Sequence, residues 1–333
     1  MDIAWRALME EDIPAWARFG RAVEEVDRED EHYSEADLAE IYAEPLFDPP
    51  RGSLAGFDGD EMVAFGMLRV RSEADEIHRM GFDGAVHPAY RGRGLGTELL
   101  RWAPEAARAL HEERYPDSRL GLSTGCMSTN QAAAALLERF GFKPVRYYHG
   151  MRIALAAEPL HVHSIEGIEI VPYAAELDEQ VRLVKNASFK DHWGTAKTLL
   201  EQWRTAYLDS VSFRPDLSFI ALRSEAGGNG GADAETEGFG RVVGLAMTKY
   251  FEATTTATGE REAHIALLGT LREVRRRGIA HALLASVLHA ARAAGFDAAS
   301  LGVDSQNPTG ALGIYERIGF TVKDTWVNYQ REY

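Results

Sequence analysis

The chain has 333 residues, 45% of them hydrophobic and 26% charged, which is typical of a soluble globular protein with room for two domains. Its formal net charge of −15 argues against non-specific binding of nucleic acid, which needs a basic face. The single cysteine, Cys126, excludes an intramolecular disulfide and a multi-cysteine metal site. The sequence shows neither a signal-peptide pattern nor a membrane-spanning apolar run. We therefore expect a cytoplasmic monomer or homodimer with no metal, nucleic-acid or membrane partner.

The first half of the chain predicts elements in the order β-α-α-β-β-β-α-β-α-β. Helical spacing of Ile13, Trp16, Phe19 and Val23 indicates the first helix. The predicted strands are 3–8, 52–57, 62–70, 77–86, 120–124 and 145–155, and the predicted helices are 12–25, 34–42, 97–114 and 130–140.

The second half predicts the same order again. The predicted strands are 168–171, 217–223, 242–250, 262–270 and 299–304, and the predicted helices are 178–189, 198–207, a helix ending near 294, and 309–318. Residues 224–240, rich in Gly, Ala and Glu, are predicted to form a mobile loop. The repeat predicts two domains, 1–157 and 168–333, joined by a linker at 158–167.

Two short glycine-bearing segments stand at equivalent places in the two halves. Each follows an apolar run and precedes an amphipathic helix: Arg91-Gly92-Arg93-Gly94-Leu95-Gly96 and Arg275-Arg276-Arg277-Gly278-Ile279-Ala280. A glycine-bearing turn between a strand and a helix directs backbone N–H groups and the positive end of the helix dipole outward, which suits a diphosphate. We interpret each segment as a pyrophosphate cradle. A second matching pair of segments, 130–142 and 307–320, lies downstream and supports the repeat.

At these residues the sequence resembles the GCN5-related N-acetyltransferase (GNAT) family, in two tandem copies covering nearly the whole chain. Both cradles match the family's R/Q-x-x-G-x-G/A motif for acetyl-CoA, and the Asn…Gly-Phe segments match its second cofactor motif. The two-copy architecture is similar to that of mycothiol synthase, although tandem copies also serve other amine acetylations. The resemblance implies an α/β (α+β) fold of two tandem GNAT domains, each a mixed, mostly antiparallel twisted sheet flanked by helices.

The resemblance also implies acetyl-CoA as cofactor. The residues expected to bind it are Leu268, Gly269, Thr270, Arg275, Arg276, Arg277, Gly278, Ile279, Ala280 and Asn307 in the second copy, and Ala85, Val86, Arg91, Gly92, Arg93, Gly94, Leu95, Gly96 and Asn130 in the first.

Tyr315 matches the family's usual proton donor to the departing thiolate. The alternative is an amphipathic helix residue with its ring in the core. The aligned residue of the first copy is Leu137, which cannot donate a proton, so we expect catalysis in the second copy. Tyr147, Tyr148 and Cys126 are the candidates to replace the missing donor of the first copy.

Glu262 and His264 are the candidate general bases, because they precede the second cradle two residues apart and so share one strand face. A surface role at the sheet end is the alternative for each. The candidate counterparts in the first copy are Glu76, His78 and Asp83.

The segment Asp191-His192-Trp193 lies where the family builds its acceptor pocket, and its carboxylate and indole suit an ammonium group. A helix end packed by Trp193 is the alternative. His161 and His163 have metal-like spacing, but no other ligand cluster accompanies them, so a connector is the preferred interpretation.

These residues predict an acetyl-CoA-dependent N-acetyltransferase that acts on an amine of a small molecule. The transfer is expected to be direct, with a general base and with Tyr315 as general acid in the C-terminal domain. Two alternatives stay open: an acetyl-CoA-binding regulatory pseudoenzyme, and a protein or peptide N-acetyltransferase.

Overall fold

The computed structural model describes residues 2–74, 76–155, 164–190, 192–193, 195–223, 241–307 and 310–333. The chain forms two compact units. Unit 1 consists of Met1–His149, Asp304–Gln306 and Asp324–Tyr333, and unit 2 of Gly150–Val303 and Asn307–Lys323.

Unit 1 is an α/β unit with a mixed sheet. Its elements are β1 (Ala4–Arg6), α1 (Ile13–Asp27), α2 (Glu35–Tyr42), α3 (Pro49–Gly52), β2 (Ser53–Asp58), β3 (Glu61–Arg69), β4 (Ile77–Val86), α4 (Leu95–Arg114), β5 (Arg119–Met127), α5 (Gln131–Arg139), most of β6 (Lys143–Ala154) and most of the last strand of the chain (Thr321–Glu332). The strands β1, β2, β3 and β4 pair antiparallel in that order, and β4 pairs parallel with β5.

The unit 1 sheet is covered by helices on both faces. Ile13, Trp16, Phe19 and Val23 of α1 are buried at the predicted helical spacing, in a cluster with Phe65 of β3 and its neighbours. The helix α4 buries its apolar side in a second cluster with β4 and β5. Each large apolar side chain removed from water in this way contributes about 1.5–3 kcal/mol.

Unit 2 repeats this arrangement. Its elements are the end of β6, β7 (Ile168–Pro172), α6 (Asp178–Ser188), α7 (Leu200–Trp203), β8 (Phe219–Arg223), β9 (Val242–Lys249), α8 (Glu252–Thr258), β10 (Glu262–Thr270), α9 (Ile279–Ala293), β11 (Ala298–Asp304), α10 (Ala311–Ile318) and the start of β12, the strand Thr321–Glu332. Pairing is antiparallel from β7 through β10 and parallel between β10 and β11. The prediction of mixed, mostly antiparallel sheets flanked by helices is confirmed.

Two local features differ from the predicted elements. The predicted helix 198–207 is the short α7 followed by a π-helical turn at Arg204–Leu208. The helix α8, between β9 and β10, has no counterpart among the predicted elements because its Thr-rich sequence lacks an apolar stripe. Residues 158–163 of the predicted linker and the predicted loop 224–240 lie outside the described residues.

The end of the chain completes unit 1, which the linear repeat does not anticipate. Residues Trp326–Glu332 of β12 pair antiparallel with Met127–Gly121 of β5. Val327 and Tyr329 are buried in the same cluster as Cys126 and Leu137. The domain ranges 1–157 and 168–333 stay a prediction that rests on the sequence repeat. The compact units differ from these ranges at β12, because Asp324–Tyr333 belong to unit 1. Within the described ranges no helix is long and apolar enough to cross a membrane.

Candidate active site

Both predicted cradles have the same backbone conformation. In unit 1 a 3-10 turn at Pro88–Tyr90 leads into Gly92 (φ 75°) and Gly94 (φ 91°), directly before α4. In unit 2 a 3-10 turn at Arg272–Val274 leads into Arg276 (φ 64°) and Gly278 (φ 85°), directly before α9. Left-handed residues at a helix start turn successive N–H groups toward one concave surface, which binds anions.

The cradles fit the diphosphate of a CoA thioester. The N-cap residues, Gly94 and Gly278, offer no side-chain cap, so the first-turn N–H groups of α4 and α9 are not satisfied by the cap residue. A Cβ atom added at either glycine would meet no protein atom within 4 Å. Each helix start therefore faces open space in which an anion is stabilised by the helix dipole.

The side chain of the first arginine in each cradle binds the cradle to the preceding strand and to a neighbouring helix. Arg91 donates to the carbonyl of Val86 (3.1 Å) and forms a bidentate pair with Asp27 at the end of α1 (2.6–2.7 Å). Arg275 donates to the carbonyl of Thr270 (3.3 Å) and to that of Ser188 at the end of α6 (3.0 Å). These contacts hold the turn against the strand.

Next to each cradle two parallel strands separate. In unit 1 the pairing of β4 with β5 ends at Gly81 and Ser123, although both strands continue. In unit 2 the pairing of β10 with β11 ends at His264 and Ser300. The ends of β4 and β10, including Ala85, Val86, Leu268, Gly269 and Thr270, therefore border a gap with backbone groups not used by the neighbouring parallel strand.

A β-bulge distinguishes the two units at this gap. The register of β10 with β9 shifts between Ile265 and Leu267, whereas β3 and β4 pair without a shift over the matching stretch. Counting paired residues back from the cradles makes His264 equivalent to Gly81 and Glu262 equivalent to Arg79. Ser300 and Ser123 then stand at the same place, each opposite the last paired residue.

The two candidate bases share one face of β10, as predicted. They alternate with Ala263 and Ile265, which are buried in the core of unit 2. The Glu262 carboxylate accepts from Nε of Arg152 at 2.7 Å, and its side chain is 11% exposed. His264 Nδ1 lies 3.1 Å from Ser300 Oγ, and its ring centroid is 6.4 Å from that of Phe251.

The expected counterparts in the first copy do not occupy the same position. His78 points to the opposite face of its sheet, fully buried, with its Nδ1 3.0 Å from Nδ1 of His111. Burial and the neighbouring His111 lower the pKa of His78 to about 4. Arg79 and Gly81 stand instead where unit 2 has Glu262 and His264, because the bulge shifts the register by one residue. At these two positions unit 1 therefore has neither a carboxylate nor an imidazole, and the Asp83 carboxylate further along β4 pairs with Arg69.

Tyr315 and Leu137 are structural equivalents. The N–H of Phe320 donates to the carbonyl of Tyr315 (3.0 Å), and the N–H of Phe142 donates to the carbonyl of Leu137 (3.1 Å). Both contacts belong to the same type of helix ending, each with a left-handed glycine. Tyr315 is 7% exposed, and burial raises the pKa of its phenol to about 12.

The substitutes considered for the first copy differ in how far they are buried. Burial raises the pKa of the Cys126 thiol to about 11, and that of Tyr148 is also raised, chiefly by burial. Tyr147 is 41% exposed. Asn130 caps α5, because its side chain accepts from the N–H of Ala133 at 3.1 Å, while Asn307 precedes the start of α10.

The predicted acceptor segment lies beyond α6. His192 and Trp193 are half-buried, and the His192 ring is 4.6 Å from that of Phe189. Asp191, together with His161 and His163, lies outside the described residues. The side-chain amide of Asn186 in α6 donates to the carbonyl of Thr198 and accepts from its N–H. These two hydrogen bonds attach the chain that follows the acceptor segment to α6.

Sequence reasoning missed three side chains around the candidate bases: Arg152, Ser300 and Phe251. A signal for Ser300 exists, because it is the polar residue between the apolar Ala299 and Leu301 in a strand. Arg152 carries no such signal, since its contact with Glu262 spans 110 residues of sequence.

The chain matches a known protein family. The profile of the acetyltransferase (GNAT) family matches residues 5–142 and 192–320. The chain is 28% identical over 275 residues to a mycothiol acetyltransferase of Pseudarthrobacter chlorophenolicus, covering 81% of this chain and 75% of that protein.

Solved structures share the fold. A GCN5-related N-acetyltransferase from Sphaerobacter thermophilus superposes with a TM-score of 0.74 at 24% identity, covering 99% of this chain and 95% of that one. A tandem GNAT protein from the clavulanic acid biosynthesis pathway superposes with a TM-score of 0.65 at 15% identity, covering 99% and 98%.

Proposed function

Because the chain belongs to the GNAT acetyltransferase family and is an N-acetyltransferase, we propose that it transfers the acetyl group of acetyl-CoA to an amine of a small molecule. The transfer takes place in unit 2. The observation that carries this assignment is the difference between equivalent positions: unit 2 has Glu262, His264 and Tyr315 where unit 1 has Arg79, Gly81 and Leu137.

Acetyl-CoA supplies the thioester, and the protein supplies binding and proton transfer. The cradle at 275–280 holds the diphosphate through backbone N–H groups and the start of α9. The end of β10 pairs with β9 but no longer with β11, so it offers N–H groups toward the gap. One of them stabilises negative charge on the thioester oxygen.

His264 is the general base in this proposal. It occupies the last paired position before the strands separate, whereas Glu262 is two pairs deeper and engaged by Arg152. An amine with a pKa near 10 is only about one part in a thousand neutral at pH 7, which corresponds to a free-energy cost of roughly 4 kcal/mol for forming the neutral amine. A base that takes the proton offsets this cost. Glu262 is the alternative base, acting through water.

Tyr315 gives its proton to the departing sulfur. Between a phenol with a pKa of about 12 and a thiol near 8.5 the transfer is uphill by about 5 kcal/mol. Burial disfavours a thiolate as well as a phenolate, so a sulfur held in the same apolar surroundings gains proton affinity too, which narrows this difference. In unit 1, burial raises the pKa of the Cys126 thiol in this way.

The acceptor is proposed from the relatives. Two mycothiol acetyltransferases share 28% identity with this chain, which makes a mycothiol-related amine the first candidate. Unit 1 is proposed to bind acetyl-CoA at its own cradle, 91–96, without transferring the acetyl group.

A thiol-release assay with acetyl-CoA tests the function. The panel contains cysteinyl sugars, aminoglycosides, polyamines and peptides, and we expect turnover with one of the small amines. Release that is equal with and without every amine would refute the transfer, and a preference for peptides would replace the proposed acceptor class.

A further inference from the structure

The side chain of Ser300 lies beside the candidate base of unit 2. His264 of β10 and Ser300 of β11 are directly opposite each other in the parallel pairing, and theirs is the last pair before the strands separate. Ser300 Oγ is 3.1 Å from His264 Nδ1. Ser300 and His264 are both half-buried, while their strand neighbours Ala299 and Ala263 are fully buried.

We propose that Ser300 is a positioning residue that fixes the ring orientation and the tautomer of His264. This inference rests on the proposed function. A serine hydroxyl can donate or accept. In this proposal Ser300 Oγ accepts from Nδ1–H across the 3.1 Å contact, so the neutral ring carries its lone pair on Nε2.

The tautomer decides what the ring can do. A neutral imidazole has one N–H and one lone pair, and a histidine with neither nitrogen fixed exchanges the two and rotates its ring. With Nδ1–H held, Nε2 takes the proton of the acceptor's ammonium: the N–H bond of the amine breaks, the Nε2–H bond forms, and the freed electron pair of the nitrogen attacks the thioester carbon. The C–N bond forms, the C–S bond breaks, and the sulfur takes the proton of Tyr315. The second proton of the nitrogen then passes to the Tyr315 phenolate, which leaves a neutral amide and a neutral thiol.

Unit 1 contains a matched control. Ser123 is the equivalent of Ser300 and stands opposite Gly81, the equivalent of His264. The same serine in the same strand position therefore lacks an imidazole to orient. Replacing Ser123 tests the structural effect of losing this hydroxyl without touching the proposed base.

A direct test observes the tautomer. In protein labelled with 15N-histidine, two-bond 1H–15N correlation spectra distinguish the two neutral tautomers, and the variant His264→Asn identifies the signals of His264 among the 11 histidines. We expect the Nδ1-protonated form in the wild type and a mixture in Ser300→Ala. An Nε2-protonated His264 in the wild type, or identical His264 signals in both proteins, would overturn the proposal.

Kinetics provide the second readout. The substrates are acetyl-CoA and the panel amine that gives the fastest thiol release. Ser300→Ala should lower kcat about tenfold, because the loss of one hydrogen bond corresponds to about that factor in rate. The KM for acetyl-CoA should change by less than about twofold. Ser300→Thr keeps the hydroxyl on a residue suited to strands and should restore most of the rate. Ser123→Ala should match the wild type.

The outcomes separate the positioning role from the function. If His264→Asn is slow and Ser300→Ala is as fast as the wild type, only the positioning role is wrong. If the wild type acetylates no amine, or His264→Asn turns over normally, the proposed transfer or its base is wrong, and the spectra still decide the tautomer. In the double variant, Ser300→Ala should add no further loss to His264→Asn; a full additional loss would show that Ser300 acts elsewhere.

Discussion

Tyr315 and Leu137 occupy the same position in two copies of one helix ending, and they differ in the ability to donate a proton. Both are buried, at 7% and 6% exposure. The sequence alignment of the two Gly-Phe segments predicted this equivalence from residues 130–142 and 307–320. It succeeded because the helix ending is local: the left-handed glycine and the following phenylalanine lie next to each other in sequence.

Tyr315→Phe should lower kcat about 100-fold or more and leave the affinity for acetyl-CoA unchanged, because the hydroxyl acts on the departing sulfur. Steady-state thiol release and calorimetric titration measure the two quantities. Leu137→Met is the matched control in the equivalent position and should keep the wild-type kcat. A Tyr315→Phe enzyme with unchanged kcat would remove Tyr315 from the mechanism.

The raised pKa of Tyr315 also predicts a pH profile. A phenol with a pKa of about 12 stays protonated below that pH, so the acid form is not lost between pH 6 and 10. We therefore expect kcat to rise with pH as the base loses its proton and then to stay level to pH 10. A decline of kcat between pH 8 and 10 that disappears in Tyr315→Phe would contradict the raised pKa.

At the scale of elements, the glycine-bearing turn of the cradle could be predicted from the sequence. Of the strand β10 beside it, the faces could be predicted but the bulge could not. Alternation placed Glu262 and His264 on one face of β10, where the structure has them. The bulge at Ala266 could not be predicted, because nothing local marks it and its register depends on pairing with β9. Because β10 has this one extra residue, the structural equivalent of Glu262 in β4 is Arg79. The expected counterpart His78 lies on the opposite face of its sheet.

The two cradles are expected to bind acetyl-CoA independently, and substitutions at their N-cap glycines should count the sites. Gly278→Val places a side chain in the open space over the start of α9 and forces a β-branched residue into φ 85°, which costs about 1–2 kcal/mol or more. We expect at least a tenfold weaker site in unit 2, with turnover lost. Gly94→Val should weaken only the site in unit 1.

Calorimetric titration with acetyl-CoA measures both stoichiometry and affinity for this pair of variants. Gly59→Val, at a left-handed glycine in the β2–β3 turn with open space around it, controls for strain of the same kind away from the cradles. One site in the wild type that is lost with Gly278→Val and kept with Gly94→Val would show that the cradle of unit 1 does not bind.

At the scale of the whole molecule, each compact unit is assembled from segments that are far apart in sequence. The last ten residues belong to unit 1, where Trp326–Glu332 extend the edge of β5. Gly125 is suited to this pairing, because a Cβ there would lie 2.2 Å from Nε1 of Trp326. The sequence could not show this, since β12 follows the second copy directly and its partner lies about 200 residues earlier.

Deleting residues 324–333 should therefore destabilise unit 1, although the deletion is at the end of the second copy. It removes the paired edge of β5 and the buried side chains of Val327 and Tyr329, each worth about 1.5–3 kcal/mol, from a unit whose total stability is of the order of 5–15 kcal/mol. Limited proteolysis read by mass spectrometry should show rapid cleavage within residues 1–149. The full-length variant Val322→Ala, at an exposed position just before the deletion, should resist cleavage as the wild type does. Equal protection of residues 1–149 in the truncated and full-length chains would mean that unit 1 is stable without its last strand.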